Sequence, residues 1–128
     1  MRLKDCHGFS DFRELARRRL PSPIFNYIDG AADDETTYDR NTKSFEECDL
    51  IPNVLRGVEN IDMSVTIMGQ KLDMPIYCSP TALQRVFHYS GEHAVAAAAD
   101  KFGTMFGVSS LGTVSLTEVR EQYNGPQC

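Results

Sequence analysis

Long apolar runs are missing from this chain, and so is any excess of positive charge. No window approaches the roughly 20 consecutive apolar residues that a membrane-spanning helix requires. The N-terminus carries Asp5 and His7 instead of a basic segment leading into an apolar block, so it does not read as a signal peptide. A cytoplasmic chain is expected, with peripheral contact at the inner membrane left open. The formal net charge is -5, and Arg17-Arg18-Arg19 is the only basic run. Nucleic acid is therefore not an expected partner. On a helix the arginine run reads as a solvated edge.

Paired cysteines are also lacking. The four cysteines, Cys6, Cys48, Cys78 and Cys128, are scattered with no C-x-x-C among them. A zinc site is not expected, and free thiols are. Cys6 beside His7 has no second pair of ligands to complete a metal site. Neither G-x-G-x-x-G nor G-x-x-x-x-G-K-[ST] occurs, so no glycine-rich phosphate loop is present. What remains is ordinary for a small globular domain: 128 residues, 41% hydrophobic and 24% charged.

The first half reads as helices. Asp11 and Glu14 have capping-box spacing, and Phe12, Leu15, Ala16 and Leu20 recur at helical intervals until Pro21. Ser22-Pro23 restarts a helix whose apolar face is Ile24, Phe25 and Ile28, with Gly30 as its expected C-cap. Asp33, Asp34 and Glu35 place negative charge where a helix N-terminus favours it, with Tyr38, Asn41, Thr42 and Phe45 following on one side. The same acids could hold a metal, which is the rarer use. Residues 48–62 are irregular. Val65 to Met68 reads as a strand, Gly69-Gln70 as a two-residue II′ turn, and Lys71-Leu72 as the return.

The pattern changes at Met74. Pro75 to Ser79 reads as a buried strand ended by Pro80. Gly91-Glu92 opens an alanine-rich helix that Gly103 ends. Thr104 to Ser109 is a second buried strand, and Ser115 with Glu118 caps a further helix to about Tyr123. Strand, helix, strand, helix is the order of an α/β fold with parallel strands and right-handed crossovers. Ligands in such folds bind at the carboxyl ends of the strands. The candidate positions are therefore Pro80, Thr81, Ala82 and Leu83, and Ser109, Ser110 and Leu111. Small hydroxylated residues let a flat ligand approach the backbone. They also serve as plain turn residues, and composition alone favours that reading. His88 and His93 flank a helix start, where histidine is commonly a surface or capping residue rather than a base. Tyr27 combines an apolar body with a donor, and pattern alone reads it as packing.

Taken together, these segments resemble one family. Phe25-Asn26-Tyr27-Ile28-Asp29-Gly30-Ala31-Ala32-Asp33-Asp34-Glu35-Thr36-Thr37 is similar to the Y-x-Y-x-x-G-A-x-D-E-x-T stretch of FMN-dependent 2-hydroxy-acid dehydrogenases, a family that includes L-lactate dehydrogenases and glycolate oxidases. Arg40-Asn41, Phe45, Pro52, Leu55 and Asp62 extend the likeness, as do Met74-Pro75-Ile76 and Ser79 to Arg85. His88, Gly91-Glu92, Gly103-Thr104, Ser109-Ser110 and Ser115 to Val119 complete it, in order, from about residue 9 to the end. The resemblance implies an α/β fold that is the N-terminal part of a (β/α)8 barrel, preceded by helices and a small β-hairpin. It implies residues 1–73 as the helical segment and hairpin, and residues 74–128 as the first two β/α units of an incomplete FMN-binding barrel.

By the same resemblance Tyr27 holds the substrate carboxylate, while Pro80, Thr81, Ala82 and Ser109 contact FMN. Leu111 stands where oxidase members often carry an aromatic residue. The implied reaction is oxidation of a small, lactate-like L-2-hydroxy acid to the 2-oxo acid, in a homo-oligomer. The family's base, carboxylate-clamping arginine, flavin lysine and phosphate site all come later than these segments. No catalytic residue is therefore expected in this chain, which alone should be inactive. The alternative is a non-catalytic binding or assembly module derived from the same fold.

Overall fold

The computed structural model describes residues 2–128. Contacts divide the chain into two compact units, Met1–Gly57 and Val58–Cys128. The hairpin expected in the first segment, residues 1–73, is tied to residues C-terminal to it. Leu72 is fully buried, the Asp73 amide donates to the Gly103 carbonyl at 2.8 Å, and Gln70 Nε2 donates to the Gln127 carbonyl at 3.1 Å.

The first unit is helical. After a 3-10 turn at Leu3–Asp5 come α1 (Phe9–Arg19), α2 (Ser22–Asp29) and α3 (Thr36–Glu46). α1 starts at Phe9, one or two residues before the expected start near Ser10-Asp11. Asp11 is not the cap itself: its carboxylate accepts from the amides of His7 and Gly8 at 2.9 and 3.1 Å, satisfying donors exposed at the helix start. Those bonds hold the Asp11 carboxyl below its ordinary value. Glu14 instead pairs with Arg18 at 2.8 Å and with Arg17 at 3.5 Å along the exposed face. Among the described residues of this unit, Leu15 and Phe25 are the buried apolar side chains. Glu35 begins α3 from a left-handed conformation, and its carboxylate accepts from the Ala31 amide at 3.0 Å.

In the second unit, β1 (Val65–Ile67) pairs antiparallel with β2 (Gln70–Leu72), in the register Val65↔Leu72. The connecting residues are Met68 and Gly69, with φ of 51° and 75°. Positive φ at both positions makes this a I′ turn, one residue earlier than the II′ turn expected at Gly69-Gln70. Gln70 is already in the returning strand. Register decided the difference, because pairing Val65 with Leu72 puts Leu72 on the buried side.

Beyond the hairpin come α4 (Gln84–Phe87), α5 (Glu92–Lys101) and α6 (Leu116–Gln122). The short α4 had no signal in the apolar pattern. The two expected barrel-type strands appear as short parallel pairings. Cys78 bridges Phe106, and Phe106 bridges Gln127, so three extended segments lie side by side. Their ladder includes Cys78 N to Met105 O (2.9 Å), Gly107 N to Cys78 O (2.9 Å), Phe106 N to Pro126 O (3.0 Å) and Val108 N to Cys128 O (2.8 Å). The third segment thus pairs through Pro126, Gln127 and Cys128.

The core forms where the helices cross this ladder. Ala96 and Ala99 of α5, Val119 of α6, Val114 and Phe106 form one buried cluster, with Cys78, Val95, Val108 and Tyr123 packed against it. Alanine on the inner face of α5 leaves room for the Phe106 ring. Gly103 ends the helix region with φ of +60°, as a C-terminal glycine does. The Ser115 hydroxyl accepts from the Glu118 amide at 3.1 Å, as the capping spacing predicts. Glu118 does not return the bond: its carboxylate meets His93 Nε2 at 3.1 Å. Among the described residues no helix is long and apolar enough to cross a membrane.

Candidate functional site

The carboxyl ends of segments 76–80 and 104–109 form a matched pair of loops. Thr104 Oγ1 donates to the Ile76 carbonyl, and the partners lie 28 residues apart in sequence. The Cys78–Phe106 bridge and the bond from Leu83 N to Leu111 O (3.1 Å) keep that offset. So does the bond from Arg85 N to Thr113 Oγ1, 3.2 Å across 28 residues. The parallel register therefore continues through both loops instead of ending with the strands. Thr81 and Ser109 share that offset, and stand at matching levels between bonded positions. Gly107 makes the close approach possible: a Cβ there would lie 2.8 Å from Pro80 Cδ and 3.2 Å from Pro80 N.

Both hydroxyls are oriented by local donors. Thr81 Oγ1 accepts from the amide of the buried Gln84 side chain at 2.8 Å. Ser109 Oγ accepts from the Leu111 backbone N–H at 3.2 Å. A hydroxyl that accepts keeps its own hydrogen to donate. The two loops thus offer a pair of O–H donors beside accessible backbone, suited to the carbonyl oxygens and ring nitrogens of a flat heterocycle. An open concavity of about 350 Å³ adjoins Ser109, lined by Val108, Ser110, Gly112, Val114, Ser115, Leu116 and Cys128, and no residue of the Thr81 loop lines it.

Beneath the loops lies a buried carboxylate. Glu92 is the first residue of α5 and is fully buried. Its Oε1 accepts from the Thr113 amide and its Oε2 from the Thr113 hydroxyl, both at 2.6 Å. Burial, the largest single influence, pushes its carboxyl up, but the two bonds from Thr113, one from its own backbone N–H and the charge of Arg85 together hold it below its ordinary value. Neither Thr113 nor the buried state of Glu92 was read from the sequence. A glutamate opening a helix looks like an ordinary first-turn acid, and threonine in a loop looks like a turn residue. The signal that could have found them is the repeated 28-residue spacing of the two β/α units.

Tyr27 lies in the Met1–Gly57 unit, on α2, and is 65% exposed. α2 is fastened to α1 by a two-pronged ion pair: Arg13 Nε meets Asp29 Oδ1 at 2.5 Å, and Arg13 Nη2 meets Asp29 Oδ2 at 2.9 Å. The guanidinium holds the Asp29 carboxyl below its ordinary value. His88 Nδ1 accepts from the Ser90 amide at 3.3 Å, and His93 bridges α5 to Glu118 of α6. Both histidines are engaged in local structure. Leu111 is exposed beside Ser109, and its carbonyl serves the bond from Leu83.

Comparison with known proteins identifies the family of this chain. The family described as FMN-dependent dehydrogenase matches residues 16–128. Spinach (Spinacia oleracea) glycolate oxidase is 38% identical over 110 residues, covering 86% of this chain and 30% of the relative. The L-lactate dehydrogenase of Xanthobacter autotrophicus is 39% identical over 117 residues, covering 91% and 30% respectively. A solved structure of mandelate oxidase with (S)-4-hydroxymandelic acid superposes with a TM-score of 0.81 at 33% identity, covering 88% of this chain and 32% of that one. An active chimera of (S)-mandelate dehydrogenase gives 0.83 at 30% identity, covering 92% and 33%. The chain therefore spans about 30% of the length of its curated relatives. With its family segment running from residue 16 to the last residue, this chain belongs to the FMN-dependent dehydrogenases.

Proposed function

We propose that the whole protein oxidises a small, lactate-like L-2-hydroxy acid to the 2-oxo acid, and that this chain supplies one wall of its flavin site. The observation that carries the reading is the register-matched pair of hydroxyl donors, Thr81 and Ser109, at the carboxyl ends of adjacent parallel segments. The parallel segments and their covering helices are taken as the opening of a (β/α)8 barrel. The exposed apolar side chains of Ile76 and Tyr77 fit that reading, since a closed sheet covers both its faces.

In this account Thr81 and Ser109 donate to the flavin, and Pro80 and Ala82 lie against it through backbone and apolar contact. Tyr27 donates its phenol hydrogen to the substrate carboxylate. FMN, when bound, would take up the hydride equivalent, two electrons and one proton, released as the α carbon is oxidised. A base outside this chain takes the hydroxyl or α proton, since His88 and His93 do not stand where the family resemblance puts the base. The chain by itself is then expected to turn over no substrate. Assembly as a homo-oligomer and residence in the cytoplasm or at the inner membrane surface belong to the same proposal. So does the choice of lactate among hydroxy acids, which the differing names of the relatives leave to experiment.

The test is to purify the full-length protein, read its flavin absorbance, and follow dye reduction by L-lactate, glycolate and (S)-mandelate. Bound FMN with L-lactate as the best substrate is the expected result. A colourless protein inert to all of them refutes the reading. Clear preference for glycolate or mandelate refutes the lactate-like assignment alone.

A further inference from the structure

The buried carboxylate of Glu92 has no part in the reaction described above, yet a charge removed from water needs a reason. Its two oxygens are both spent on Thr113, at 2.6 Å each. Thr113 in turn accepts from the Arg85 amide through the same hydroxyl. A continuous relay runs from the Arg85 N–H through the Thr113 O–H to the Glu92 carboxylate. It joins the start of α4, the loop after the second parallel segment, and the start of α5. The packing is tight at each end. A Cβ on Gly91, which has φ of +49°, would lie 2.7 Å from Arg85 Cγ, and one on Gly112 would lie 3.3 Å from Glu92 Oε1. Glu92 is also well placed at the amino end of its helix, where the dipole favours a negative charge.

We propose that Glu92 and Thr113 are a positioning pair that fixes the spacing and level of the Thr81 and Ser109 loops, so that both hydroxyls reach one flavin. The inference rests on the flavin reading above. Hydrophobic packing alone could hold α5 against Phe106, but it is non-directional and would not set the register of two loops beyond the ladder. A charge-assisted pair of bonds is directional and does.

The test uses full-length protein carrying Thr113→Val, Glu92→Gln or Thr113→Ser, with FMN as the probe. Thr113→Val and Glu92→Gln should each raise the FMN Kd by about 10-fold or more, the loss expected for bonds to a charged group. Thr113→Ser keeps both donors and should bind FMN nearly as the unaltered protein does. Amide exchange at Leu83 and Arg85 should quicken in the first two variants and not in the third. A lower melting temperature with an unchanged FMN Kd would make the pair merely structural and overturn the proposal. So would slow Leu83 and Arg85 exchange in both disruptive variants. If the unaltered protein binds no FMN, the flavin reading fails first, while the exchange measurement still reports whether the pair ties the loops. If Thr113→Val does not fold, Glu92→Gln, which preserves side-chain shape, decides the matter.

Discussion

The two units of this chain are held together by different means. In Met1–Gly57 most bonds are local: a carboxylate over a helix start, i,i+4 ion pairs, and one two-pronged bond between neighbouring helices. Among its described residues the buried apolar side chains are Leu15 and Phe25, and Phe45 on α3 is exposed. In Val58–Cys128 the defining contacts join residues far apart in sequence, around a core that includes the fully buried Phe106, Leu72 and Val119. Local bonds give helices but little packing energy. Long-range register gives a defined surface on which two loops can be aligned. A site that must hold a ligand at atomic precision belongs on the second kind of structure.

The strongest way to break this contrast is Phe106→Ala. Removing a fully buried ring from the central segment should cost about 3 to 5 kcal/mol, a large part of a small domain's stability. Amide exchange should rise throughout Val58–Cys128, while α1 and α2 keep their own rates. Gly103→Ala comes next. The new Cβ would collide with Asp73 Oδ2 at a φ of +60°. A loss of about 1 to 3 kcal/mol is expected in chemical denaturation, tempered by how far the Asp73 side chain can swing.

Asp29→Asn probes the other unit. Its folded-state carboxyl is lowered by Arg13, so the stability it contributes is complete above the ordinary value of 3.8 and is lost as pH falls through its lower folded value. Helix content by circular dichroism should fall below that point in the unaltered chain. In the variant the acid-side step contributed by this pair should be missing, and the helices should be less stable at neutral pH. The smallest effect is a gain. Met68 occupies a left-handed position in the hairpin, with φ of 51°. Met68→Asn should stabilise the chain by up to about 1 kcal/mol, seen as a higher melting temperature.

The same contrast explains what could be read from sequence. Helices α1, α2 and α6 announced themselves through local spacing, and Ser115 caps α6 as its pattern implied. The hairpin was visible, but its turn was displaced by one residue, because burial of Leu72 fixes the register and forces Met68 into a conformation its side chain disfavours. The candidate site was legible only in part. Thr81 and Ser109 read as turn residues by composition, only the family resemblance singles them out, and the fold brings their loops into register. Gln84, Glu92 and Thr113, which hold those loops, did not stand out. Their roles depend on partners up to 28 residues away, and polar residues are ordinarily solvated.

The most direct measurement is FMN titration of flavin-free full-length protein, followed by fluorescence quenching, with Thr81→Val and Ser109→Ala compared against the unaltered sequence. Two donors on one flavin predict that each substitution weakens binding severalfold or more, and the pair together more than either alone. Binding that stays as tight with both hydroxyls removed would contradict the account.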